Sequence, residues 1–147
     1  MLGRNTHFSI AVHVCIALAL HEGEALCSDV LAGSVETNPA FLRSVMSKLR
    51  EAGIIESKRG AGGGSLLARD AKKITLLDLY QATGGEFELS THAVKPDSKC
   101  FVNSGLCEVF QDVSQKLQTA MSKELKRVTI AALAERVAAH EKCESAE

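Results

Sequence analysis

The sequence predicts a mostly α fold with a small β wing, and three observations carry that prediction. Apolar residues recur at helical spacing along most of the chain; Leu42, Val45, Met46 and Leu49 fall at i, i+3, i+4 and i+7. The stretch "KRGAGGGSLLA", residues 58–68, puts four glycines in five positions between two short strand candidates, "IIES" and "GSLLA". A long helix with an apolar stripe, from about Leu106 to Val128, follows. Helix, glycine turn, punctuated helix and hairpin, in that order, is the plan of a winged helix-turn-helix domain.

Each element has a local reason. From Asn5 to His21, alternate apolar residues mimic a strand, but Ile10, Ala11, Val14, Ala17 and Leu18 fit one helical face. The length favours a helix, ended by the glycine and charges of "HEGEA". "CSDVLAGSV" reads as a short helix with Ser28 as N-cap and Gly33 in its C-terminal turn. "TNPAFLRSVMSKLREAG" is punctuated at both ends. Asn38 accepts from the first free amides, Pro39 suits the first helical position, and Gly53 closes the C-terminus. Arg43, Ser44, Ser47 and Arg50 point away from its apolar side. Beyond the hairpin, "KKITLLDLYQATG" is another helix, with Thr75 as N-cap, Asp78 in the capping-box slot and Gly84 as stop. Residues 85–106 lack periodicity and contain Pro96, Cys100 and Gly105, which predicts a loop. A long helix from about Leu106 to Val128 aligns Phe110, Val113, Leu117, Met121, Leu125 and Val128 in one stripe, and "TIAALAERVAAHEK" is the last helix.

Composition bounds the function. The 147 residues, 46% hydrophobic and 24% charged, suit one globular domain with a real core. No run approaches the roughly 18 apolar residues of a membrane span. "HFSIAVHVCIALAL" is interrupted by His7 and His13 and lacks a cleavage site, so the expectation is a cytoplasmic protein with no membrane partner. The net charge is −1, yet residues 40–73 hold eight basic residues against three acidic ones, a local excess of +5. That is a weak electrostatic footprint for a polyanion, or an ordinary solvated face. No paired carboxylates, nucleophile with its base or HExxH-like motif is present, and His7, His13, His21, His92 and His140 are scattered. The expectation is no enzyme and no catalytic residue.

The glycine loop does not fit a phosphate cradle. A P-loop needs Gly-Lys-Ser/Thr leading into a helix, but Gly64-Ser65 has no lysine and "SLLARD" is short and strand-like. The dinucleotide pattern fails too, because Ser65 stands where its last glycine belongs. As the tip of a hairpin, the glycines allow positive φ and close approach to a DNA backbone, with Arg59 placed to enter a minor groove.

The string "KLREAGIIESKRGAGGGSLLAR", followed by "ITLLDLYQA", resembles the bacterial Rrf2 family of winged-helix transcription regulators over nearly the whole chain. "TNP" and "KPDSKCFVNS" look most like the family's YwnA type. The resemblance implies a DNA-binding repressor or activator, working as a homodimer on a near-palindromic double-stranded operator. It implies a recognition face at Asn38, Pro39, Ala40, Arg43 and Ser44, and a minor-groove wing at Lys58, Arg59 and Gly60. Arg43 can grip guanine O6 and N7 with its planar fork, or stand in solvent. Lys48 and Lys58 read as phosphate contacts or plain surface, and Phe41 as packing at the helix entry. In the family the long helix packs against its twin, which assigns Phe110, Val113, Leu117, Met121 and Leu125 to dimerisation. The implied plan is 1–84 as the winged domain, 85–106 as a sensor-type loop and 107–147 as the dimerisation and C-terminal helices. Ser65 stands where many members have an aromatic, a departure that bears on wing packing.

Five cysteines and no export signal point to free thiols, a metal site or a redox switch. Iron–sulfur members of the family hold their cluster with three loop cysteines and one further ligand. Here the loop has only Cys100 and Cys107, separated by six residues; His92 stands near the missing cysteine. His13 lies one turn past Ser9, where some members carry an acidic ligand, although a lone histidine on an apolar helix is more often a core residue. Cys15 and Cys27 read as small buried hydrophobes, and Cys143 as an inert tail residue. A [2Fe–2S] cluster needs four protein ligands. The expectation is therefore no cofactor and no metal site, with Cys100 and Cys107 as a thiol pair or the site of a small effector. A [2Fe–2S] cluster is the alternative.

Overall fold

The computed structural model describes residues 6–85 and 100–144. Its elements are α1 (Thr6–Leu20), α2 (Ser28–Val35), α3 (Pro39–Glu51), β1 (Ile55–Lys58), β2 (Gly64–Leu67), a 3-10 turn (Ala71–Lys73), α4 (Leu76–Ala82), α5 (Phe101–Arg127) and α6 (Ile130–Glu144). They fall into two compact units, residues 1–85 with 125–147, and residues 86–124.

The first unit is built around one core. Ile10, Val14 and Leu18 of α1 meet Leu31 of α2, Leu42, Val45, Met46 and Leu49 of α3, Ile54 and Ile55 at the entry to β1, Ile74 and Leu79 around α4, and Ile130 of α6. Each such side chain contributes about 1.5–3 kcal/mol by leaving water. The four α3 residues are those that the helical spacing predicts, so that face is fixed by periodicity alone. Its start is fixed by chemistry: Asn38 Oδ1 accepts from the Ala40 amide at 2.8 Å, with Pro39 at the first helical position. Thr75 and Asp78 form the expected reciprocal capping box at the head of α4.

The hairpin pairs β1 and β2 antiparallel, from Ile55 opposite Leu67 to Lys58 opposite Gly64. Gly60 and Gly62 turn the tip at φ of 97° and 71°, a region that L side chains rarely adopt. The sequence gives no hint that β2 has a second neighbour. Ser65 exchanges two backbone hydrogen bonds with Leu26, at 2.8 and 2.9 Å, which ties the wing to the residues just before α2. A Cβ at Gly64 would run into the Leu26 carbonyl, so this glycine is required by close approach. Ser65 is itself buried in this arrangement.

Several expectations need correction. Cys27, not Ser28, is the N-cap of α2; Gly33 lies in its last turn, as expected, and Glu36 takes the left-handed position after it, at φ 52°. The segment read as a loop to residue 106 is helical from Phe101. Gly105 misled that reading, because one glycine inside a helix costs only about 1 kcal/mol relative to alanine. Residues 86–99 lie outside the described residues. The last helix does not group with the dimerisation helix: α6 packs against α1 and the 3-10 turn, within the winged unit. The proposed stripe on α5 mixes two adjacent faces. Phe110, Met121 and Leu125 are half-buried, whereas Val113 and Leu117 are exposed and continue toward Val102 and Val109. Successive residues on a helix are about 100° apart, so a run of i+4 steps drifts from one face to the next.

Candidate nucleic-acid interface

The outward face of α3 follows from its inward one. With Leu42, Val45, Met46 and Leu49 buried, the opposite side presents Ala40, Arg43, Ser44 and Ser47, all exposed. Pro39 and Ala40 have small, non-donating side chains at the exposed helix start. Arg43 and Ser44 stand one turn on, and Lys48 is half-buried at the margin. Asn38 is exposed, but its side-chain oxygen is committed to the cap. Ser47 and Arg50, absent from the sequence-based set, belong to this exposed surface; the Ser47 hydroxyl donates to Glu51 Oε1 at 3.3 Å. The same periodicity that picked out Arg43 also marks them.

The helix is held from several sides. α1, α2 and α4 all pack on α3. His7 stacks on Phe41 at the entry, ring centroids 4.4 Å apart. His13, expected as a core residue or ligand, is instead exposed, with Nε2 2.8 Å from the Ser34 hydroxyl, and so links α1 to α2. Downstream, α3 leads through Gly53 and the buried Ile54 into β1, which packs against it. Lys58, Arg59 and Gly60 at the wing are all exposed. A polar helix face and an adjacent hairpin, both carrying arginine, can present charge to a polyanion and hydrogen-bond donors to base edges.

The cysteines divide sharply. Cys15 is fully buried in α1, and burial pushes its thiol up to about 12. It is neither a thiolate nor a ready metal ligand. Cys27 is exposed, contrary to expectation, because it sits at the head of α2 rather than on its inner face. Cys100 immediately precedes α5 and Cys107 lies within it; both are exposed. Seven helical steps separate them by about 10 Å along the axis. A disulfide needs Cα atoms within about 7 Å, so direct pairing requires the first two turns of α5 to unwind. His92 and the side chain of Cys143 lie outside the described residues. Among the described residues no three His, Cys, Asp or Glu side chains converge on a metal-sized site. At the head of α5 the described residues place two thiols, Cys100 and Cys107, and residues 86–99 before them lie outside the described residues. No described helix is long and apolar enough to cross a membrane.

Residues 4–136 match the family model Rrf2, described as an iron-dependent transcriptional regulator. YwnA of Bacillus subtilis strain 168, named as an HTH-type transcriptional regulator, is 31% identical over 121 residues, covering 82% of this chain and 89% of YwnA. Among solved structures, CymR of B. subtilis, titled the global cysteine regulator, aligns with a TM-score of 0.69 at 23% identity, over 92% of this chain and 98% of CymR. A structure from Lactobacillus plantarum, described as a transcriptional regulator, aligns with a TM-score of 0.77 at 24% identity, over 97% and 99% of the two chains. The two structural likenesses establish the fold of winged-helix regulators. The sequence match adds the family: this chain belongs to the Rrf2 family of DNA-binding transcriptional regulators.

Proposed function

We propose that the protein is a homodimer that docks α3 in the major groove of a near-palindromic duplex and sets the wing against the flanking backbone and minor groove. The observation that carries this reading is the exposed Ala40–Arg43–Ser44 face beside Arg59, within a stretch of local charge +5 on a chain of net charge −1. Pairing two copies falls to the open face of α5, where Val102, Val109, Val113 and Leu117 are exposed. A twofold would then face two half-sites about one turn apart, roughly 34 Å, or a multiple of that. Such a protein acts in the cytoplasm and performs no catalysis. In vitro selection from random duplex DNA tests the reading. Enrichment of paired, inverted half-sites is expected, with binding that weakens steeply as salt rises. Selection that enriches no sequence would refute it.

A second reading is carried by the exposure of Cys100 and Cys107 at the head of α5. These thiols, or a small effector bound beside them, switch DNA binding without an iron–sulfur cluster. Peroxide oxidises the two thiols to one disulfide with release of two waters, and closing that bond unwinds the start of α5. Anaerobically purified protein should then hold no stoichiometric iron or sulfide. Peroxide should alter operator binding in the native protein and not in Cys100→Ser or Cys107→Ser. Stoichiometric iron and sulfide would overturn the no-cluster reading, and unchanged binding after oxidation would remove the thiol switch.

A further inference from the structure

Two residues, Val128 and Thr129, separate α5 from α6, and neither is slack. The Leu76 amide donates to the Val128 carbonyl at 2.9 Å, and the Ile130 amide donates to the Ile74 carbonyl at 2.9 Å. These bonds form an antiparallel bridge between Thr75 and Thr129. Each bridging threonine also heads a helix. The Thr75 amide donates to Asp78 Oδ2 at 2.8 Å and its hydroxyl accepts from the Asp78 amide at 3.3 Å. The Thr129 hydroxyl accepts from the Ala132 amide at 3.2 Å. Ile74 and Ile130, flanking the bridge, are fully buried. The last turn of α5, the clip, α4 and α3 all belong to the winged unit, and α4 packs directly on α3.

We infer that this clip is a positioning device: by pinning the end of α5 to the head of α4, it sets which half-site spacing the protein accepts. The inference rests on the homodimer proposed above. An unbridged two-residue connection keeps four soft backbone dihedrals, enough to reorient whatever it joins. Bridged, those residues are held by backbone bonds on both sides. Within the winged unit, the end of α5 is then joined to the base-reading helix through the clip and α4.

The bridge can be opened selectively. Leu76 is the first residue of α4, where proline is tolerated, and Thr75 already has the extended conformation that a following proline demands, at φ −104° and ψ 161°. Leu76→Pro therefore removes the donor to Val128 while keeping the helix. Leu76→Ala removes a similar amount of packing but keeps the donor. The probes are duplexes carrying two inverted copies of the selected half-site, with spacers varied one base pair at a time, and a duplex with a single copy. Full-length native protein and Leu76→Ala should each prefer one spacing. Leu76→Pro should remain dimeric and bind the single half-site normally, yet bind neighbouring spacings equally. Retention of the native spacing preference by Leu76→Pro would overturn the inference. If Leu76→Pro binds the single half-site poorly, Ile130→Pro replaces it, because it removes the other bridge donor at the first position of α6, where proline is tolerated, with Ile130→Ala as the packing control. Spacing preference lost in the proline variant and kept in the alanine variant supports the clip; preference kept in the proline variant overturns it. Native protein that ignores paired half-sites altogether would refute the homodimer reading, and this inference with it.

Discussion

Leu42 in α3 and Leu117 in α5 both belong to the apolar stripes of their helices, yet one is 1% exposed and the other 44%. The winged unit closes its own core with side chains from α1, α2, α3, α4 and α6. The length of α5 from Phe101 to Leu117 instead leaves Phe101, Val102, Val109, Val113 and Leu117 in water. An apolar stripe on a helix shows that something covers it, but not whether the cover is the same chain. In the winged unit the cover is internal, whereas on this face of α5 it is proposed to be a second copy.

Leu117→Asp should break the comparison most completely. A charge at the centre of a helix–helix seam desolvates without a partner, so the dimer should dissociate in light scattering while the winged unit keeps its fold. Val30, 55% exposed on α2, is the control. Val30→Asp should leave the dimer intact, and equal dissociation of both variants would show that α5 is not special. Next in size, Leu42→Ala should cost about 2–5 kcal/mol, the usual toll of a cavity in a closed core. Val109→Ala, on the open side of α5, should change the stability of a dissociated chain by less than about 0.5 kcal/mol. Comparable losses from chemical denaturation would mean that α5 is covered within its own chain.

A smaller effect sharpens the picture of the closed core. Cys15 is buried as a neutral thiol, and its folded value of about 12 exceeds the ordinary 9.0. Its contribution is therefore complete below pH 9 and is lost as pH climbs toward 12, because the unfolded chain ionises first. Stability of the native protein should fall over that window more steeply than stability of Cys15→Ala. Parallel curves would show that the thiol does not titrate differently in the two states.

The same contrast explains what was legible in the sequence. Asn38, Pro39, Thr75 and Asp78 act within a few residues of themselves, so their local chemistry announces the ends of α3 and the head of α4. Leu42, Val45, Met46 and Leu49 declare a buried face through spacing. The bridge from Leu26 to Ser65 joins residues far apart in sequence, and nothing near either one marks it. The α5 stripe divides for a related reason: Phe110 and Val113 are equally apolar, and only packing decides which is covered within the chain. The exposure of Arg43, Ser44, Lys58, Arg59 and Gly60 follows from helical spacing and from the hairpin tip. Asn38 was legible as a cap, a role that takes its oxygen from base reading. Cys27 misled because burial was assigned from residue type, while its place at the head of α2 keeps it in solvent.

The proposed complex has α3 reading bases while the wing positions the protein on the duplex. Its most direct test compares native protein, Arg43→Ala and Arg59→Ala on the selected operator and on every single-base variant of it. Arg43→Ala should flatten the preference at one base pair in each half-site by about 1–3 kcal/mol and leave the other positions unchanged. Arg59→Ala should weaken binding across the variants and lower the salt dependence by about one phosphate contact. An Arg43→Ala profile that keeps the native preference at every position would contradict the claim that this face of α3 reads the operator.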